Sequence, residues 1–142
     1  MLFRSLTPGD EYPVFETRFG KVGLMVCYDA QYPEVAGQLA RRGAEIIALP
    51  ANGYTTSLGI ARAIENQVYV VASVYVDDGK SPANDRWGIS GIISPEGKII
   101  ARAPAEGTVA VAEVDLNRTW NWPWLGNWRQ TIPRLRPACS SR

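Results

Sequence analysis

Gly20-Lys-Val-Gly-Leu-Met-Val-Cys27-Tyr-Asp-Ala-Gln-Tyr-Pro33-Glu34 passes from a continuous apolar run to helical spacing. Val22 to Val26 is a continuous apolar run with β-branched residues at both ends, the pattern of a strand buried on both faces of a sheet. Beyond Cys27 the period changes. Pro33 suits the first turn of a helix, Val35, Ala36, Leu39 and Ala40 recur at helical spacing, and Gly43 follows the basic pair Arg41 and Arg42 as a stop signal. Cys27 therefore lies in a strand-to-helix turn. Open α/β sheets bind ligands beyond the carboxyl ends of their strands, and a thiol held near a helix start can be kept as thiolate. Two readings stay open from position alone: a nucleophile, or a small hydrophobe that closes a buried strand.

Working outward, Val14-Phe-Glu-Thr17 alternates as a short strand, and Arg18 to Lys21 would turn it into the Val22–Val26 strand as a hairpin. After the helix of residues 32–42, Ala44 to Leu49 is a second apolar run closed by Pro50, so strand, helix and strand imply a parallel βαβ unit. Cys27 and Pro50 are then expected at the same sheet edge, followed by the loop 51–56. Ser57 is a candidate helix cap, and Leu58, Ile60, Ala61 and Ile64 are expected to form the apolar side of a helix ending near Asn66. Val68 to Ser73 reads as the third apolar strand, and 77–86 as a polar surface loop. Ser90–Ile93 and Lys98–Ala101 flank the turn Pro95-Glu-Gly97 as a hairpin, and Thr108–Val114 alternates with period two as a further strand. Residues 1–116 make one unit, and 117–142 a tail with Trp120, Trp122, Trp124 and Trp128. Such apolar faces must cover something: the domain itself, a partner subunit or a pocket rim.

The 142 residues suffice for one domain with its own core, and 15 basic against 14 acidic residues leave a formal charge of +1 with no charged block. Nucleic acid and anionic membrane are thereby poor partners, and no apolar run approaches a membrane span, so the chain reads as cytoplasmic. Histidine is absent. Within these residues Ser-His-Asp and Cys-His catalysis are impossible, and most zinc sites lose their usual ligand; neither a metal nor an organic cofactor is expected. Cys27 and Cys139 lie far apart without CxxC spacing, so a structural disulfide is not expected.

The segment Phe19 to Glu34 resembles the nucleophile region of the nitrilase superfamily, the carbon–nitrogen hydrolases. Leu6-Thr-Pro-Gly9, Val14–Thr17, Ala61-Arg-Ala-Ile-Glu-Asn66, Tyr69–Val71, Ser90–Gly97, Val114-Asp-Leu116 and Arg129–Pro137 extend the likeness over nearly the whole chain. The resemblance implies an α/β fold of the α-β-β-α sandwich type, here its C-terminal part, and hydrolysis of an amide or, less expectedly, a nitrile through a thioester on Cys27. It implies the backbone N–H of Tyr28 as oxyanion donor, Asp29 and Glu34 as residues shaping the turn and helix start, and Glu65 as support for the site wall. Asn52 and Tyr54, on the loop after Pro50, are candidate substrate-binding residues. The family's glutamate and lysine precede the cysteine by more chain than the 26 residues before Cys27, so the catalytic set is expected to be incomplete here. Lys21, at the far end of the strand, is a poor substitute. A small-molecule amide or nitrile is the expected partner, and a homo-oligomer the expected assembly. A catalytically dead assembly module and an acyltransferase-like relative are the alternatives.

Overall fold

The structure is a computed structural model, and it describes residues 7, 9–74, 88–104, 108–118, 120–122 and 126–128. Eight strands and two α-helices are seen among them: β1 Val14–Thr17, β2 Gly20–Leu24, α1 Pro33–Arg41, β3 Ile46–Ala51, α2 Thr56–Asn66, β4 Tyr69–Val74, β5 Gly91–Ile93, β6 Ile99–Arg102, β7 Trp120–Trp122 and β8 Gly126–Trp128. The first six strands form one sheet in chain order, with β2, β3 and β4 parallel and the outer pairs antiparallel. The expected hairpins and the βαβ unit are thus present, the latter extended by a second crossover through α2.

Both helices begin and end for local reasons. Pro33 opens α1, where its missing N–H costs nothing, with Glu34 in the first turn and Arg41 in the last. Gly43 at φ +94 then lets the chain reverse, so that its N–H reaches Ala40 O at 2.9 Å and that of Ala44 reaches Leu39 O at 3.0 Å. α2 stops in the same way at Gln67, which is left-handed at φ 56, with Val68 N–H donating to Ala63 O at 3.2 Å. Ser57 is not the cap of α2. Thr55 occupies that position and makes no side-chain capping bond, while its carbonyl accepts from Leu58 N–H at 2.9 Å.

The two helices cover one face of the sheet. Gly23, Ile47, Val70 and Ile93 stand in register on that face, and all four are buried. Met25, Leu39 and Leu49 are fully buried with them, each such burial contributing about 1.5–3 kcal/mol. α2 turns a different side inward from the expected one: Thr56, Gly59, Arg62, Ala63 and Asn66 are buried, whereas Ile64 is exposed. Small residues allow the close approach. A Cβ on Gly59 would stand 2.7 Å from the Tyr54 ring and 3.1 Å from Ile93.

The opposite face explains a second departure. β2 is not buried on both sides: Leu24 is 41% and Val26 47% exposed, and Phe15 and Val71 are exposed with them. Among the described residues, that face is partly covered toward the amino end of β4, where Val114 and Leu116 pack with Ile46, Tyr69 and Ile92. The Thr108–Val114 run forms no strand among the described residues. Its alternation is real, with Val109 79% and Val111 82% exposed, but a strand is completed by ladder partners that its own sequence does not contain.

In the expected tail, β7 and β8 pair antiparallel, Trp120 opposite Trp128 and Trp122 opposite Gly126. The expected loop 77–86, Trp124, the Arg129–Pro137 landmark and Cys139 lie outside the described residues.

Candidate active site

β2 ends at Leu24, but the ladder runs one residue further, Met25 N–H donating to Ala48 O at 3.0 Å. The chain then enters a short 3₁₀ turn, Cys27–Gln31, that leads into α1. Its entry is closed by a reciprocal pair. Val26 N–H donates to Asp29 Oδ2 at 2.9 Å, and Asp29 N–H donates back to Val26 O at 3.0 Å. Asp29 therefore closes the entry of the turn, and Glu34 lies exposed in the first turn of α1.

Cys27 takes φ 50. Gln67 shares that left-handed region for the ordinary reason that it ends a helix, whereas Cys27 begins a turn, and a side chain there costs about 1–2 kcal/mol. Such strain persists only where the surroundings over-determine it. The thiol is half-buried, its Sγ 3.9 Å from the carbonyl oxygen of Gly53 in the loop after β3. Sequence reasoning placed these two segments at one sheet edge, and the structure brings them into contact there, beyond the carboxyl ends of β2 and β3.

The remaining candidates divide. Asn52 is exposed on this loop, and Tyr28 is exposed with its ring edge-on to Tyr32 at 5.8 Å between centroids. Tyr54 does not line an open mouth. It is buried, its hydroxyl donating to Ile89 O at 3.2 Å, and burial pushes its pKa up to about 12. The ring supports the loop from beneath because Gly59 and Gly88 leave it room. Lys21 is ion-paired with Glu16 at 2.9 Å, several residues from Cys27 along β2. A hollow of about 580 Å³ lined in part by Tyr69, Ser94, Glu96 and Lys98 lies at the amino end of β4, away from the loops that follow the parallel strands.

One residue of this region was not singled out from the sequence. Arg62, 5% exposed on α2, donates from Nε to Ala30 O at 3.1 Å, from Nη2 to Gln31 O at 3.2 Å and from Nη1 to Glu65 Oε1 at 2.8 Å. Glu65 also accepts from Asn66 Nδ2 at 3.4 Å, so its carboxylate is held between Arg62 and Asn66. The signal was available: positions 59, 62, 63 and 66 share one helical face, and a charged residue among small ones there must be paired.

The carbon–nitrogen hydrolase family profile matches residues 1–123. The chain belongs to the carbon–nitrogen hydrolase family. Among its relatives, the omega-amidase NIT2 of Xenopus tropicalis is 38% identical over 145 residues, covering 93% of this chain and 48% of that protein. The human omega-amidase NIT2 is 34% identical over 140 residues, covering 94% and 48%. The chain thus spans about half the length of these relatives. Among solved structures, Saccharomyces cerevisiae Nit3, described as a member of branch 10 of the nitrilase superfamily, matches with a TM-score of 0.62 and 32% identity over 76% of this chain and 42% of Nit3. A glutamate-to-glutamine mutant of an amidase from Nesterenkonia sp. AN1, solved with the result of Michael addition of acrylamide at its active site cysteine, matches with a TM-score of 0.54 and 25% identity, covering 69% of this chain and 41% of the amidase. The α/β fold is that of the carbon–nitrogen hydrolases. Among the described residues, no cluster of three or more His, Cys, Asp or Glu could hold a metal ion, and no helix is long and apolar enough to cross a membrane.

Proposed function

We propose that this chain carries the nucleophile of an amide hydrolase, and that the nucleophile is Cys27. The observation that carries the reading is the left-handed backbone of Cys27 at the carboxyl ends of the parallel strands, with its thiol toward the loop after β3. The omega-amidase relatives and the Nesterenkonia amidase support amides ahead of nitriles, and the Michael addition of acrylamide at that amidase's active site cysteine supports a cysteine nucleophile.

In this reading the thiol yields its proton to a base and its sulfur bonds to the amide carbon. The carbonyl oxygen becomes an oxyanion that accepts from Tyr28 N–H; the C–N bond breaks, and the amine or ammonia leaves with a proton. Water then attacks the thioester, releasing the carboxylic acid and restoring the thiol. Asn52 is the candidate substrate contact, whereas the Tyr54 hydroxyl, bonded to Ile89 O, acts on the loop from below.

The base and the oxyanion-stabilising lysine are assigned outside the described residues. Asp29 is engaged with Val26 N–H, Glu65 with Arg62 and Lys21 with Glu16. The isolated chain is therefore expected to alkylate at Cys27 with iodoacetamide yet give no detectable amide turnover. Turnover abolished by Cys27→Ala would retain the nucleophile and refute the incomplete set; a Cys27 that never labels in the folded chain would refute the nucleophile. The assembly-module reading draws on one observation, the exposed apolar face around Leu24, Val26 and Val71.

A further inference from the structure

The geometry points to Arg62 as the positioning residue that holds Cys27 in its left-handed conformation, an inference that rests on Cys27 being the nucleophile. The turn Cys27–Gln31 is tied at its entry by the Met25 to Ala48 bond and by the Val26–Asp29 pair. Its exit is held from α2. Arg62 reaches across 32 residues of sequence to Ala30 O and 31 to Gln31 O, two consecutive carbonyls at the end of the turn. Ala30 itself is fully buried, so this end of the turn cannot shift without disturbing the core.

Guanidinium geometry suits the task. Its planar fork donates to two carbonyls and a carboxylate at once, which an ammonium on a flexible stem cannot reproduce at the same three sites. Glu65 balances the charge and orients Nη1. With the exit released, the turn is free to move Cys27 back to the right-handed region preferred by L-residues, carrying Sγ away from Gly53. Strain at Cys27 is thus maintained by a contact from another element.

Hydrogen exchange on Arg62→Gln, Arg62→Lys and Glu65→Gln, read beside Cys27 alkylation at fixed pH, tests the assignment. The Asp29 and Tyr32 amides, both bonded inside the turn, should exchange at least about tenfold faster in Arg62→Gln, with β3 and β4 amides unchanged. The Cys27 alkylation rate should change in the same variant, and Arg62→Lys should restore part of both. Glu65→Gln, at a partly exposed position, should give a weaker version of the pattern if Arg62→Gln fails to fold. Uniform acceleration across turn and sheet would mean that Arg62 is only core support, and unchanged turn amides would mean that it holds nothing; either overturns the proposal. A wild-type Cys27 that does not label would instead defeat the nucleophile reading, while the exchange data would still decide the role of Arg62.

Discussion

The hydroxyl of Tyr54 donates to the carbonyl of Ile89 inside the core, 35 residues away in sequence. That bond joins the loop after β3 to the segment that enters β5, and burial raises the Tyr54 pKa to about 12 from an unfolded value near 10. Below about pH 10 the phenol is neutral in both states and the stabilisation is fully present. Between 10 and 12 the unfolded chain loses the proton first, so stability falls as pH rises, by on the order of 2–3 kcal/mol in total. Urea unfolding across this range should show the decline in wild type and a flatter profile in Tyr54→Phe. At neutral pH Tyr54→Phe should cost about 1 kcal/mol through the unpaired Ile89 carbonyl.

Asp29 closes the cysteine turn by accepting from Val26 N–H. Asp29→Ala removes that acceptor, with an expected cost of about 1 kcal/mol in the manner of a lost helix cap. Asp29→Asn keeps an amide oxygen in reach and should lose less. Chemical denaturation of both variants checks the order, and equal losses would contradict it.

Gly59 lies where α2 meets the Tyr54 ring and Ile93. Gly59→Ala improves helix propensity by about 1 kcal/mol, yet the added methyl meets the ring at 2.7 Å, and overpacking of this kind costs about 1–3 kcal/mol. The expected net result is a less stable protein. A raised thermal midpoint would show that the ring gives way easily.

Leu24, Val26, Val71 and Phe15 leave a contiguous apolar face exposed on the sheet. Faces of this kind drive association. Light scattering should report a mass that rises with concentration, and the double change Leu24→Lys and Val71→Lys should suppress the rise. A wild-type monomer at all concentrations would contradict the prediction.

Local pattern carried most of the fold. Apolar runs at 44–49 and 68–73, Pro33 at a helix start, Gly43 at its stop and the Pro95–Gly97 turn each restrict the backbone through nearest neighbours, so strand, helix and hairpin order were legible in the chain. The motif around Cys27 likewise pointed to the carbon–nitrogen hydrolases, because a turn of this kind uses a short run of residues. What failed depended on partners distant in sequence. Thr108–Val114 has strand alternation but forms no strand among the described residues, since hydrogen-bonding partners must come from other segments. β2 reads as doubly buried because its composition reports apolarity but not which face the helices cover.

The same division holds at the candidate site. Sequence alone determined that Cys27 lies in a strand-to-helix turn and that no histidine among these residues can serve as its base, and the family resemblance assigned Asp29 to that turn. Tertiary structure alone decided that Tyr54 points into the core, that Cys27 Sγ meets the Gly53 carbonyl and that Arg62 grips the end of the turn. Contacts spanning 26 to 35 residues depend on how two crossovers stack their helices on one face, and that stacking is a property of the assembled sheet rather than of any window of the chain.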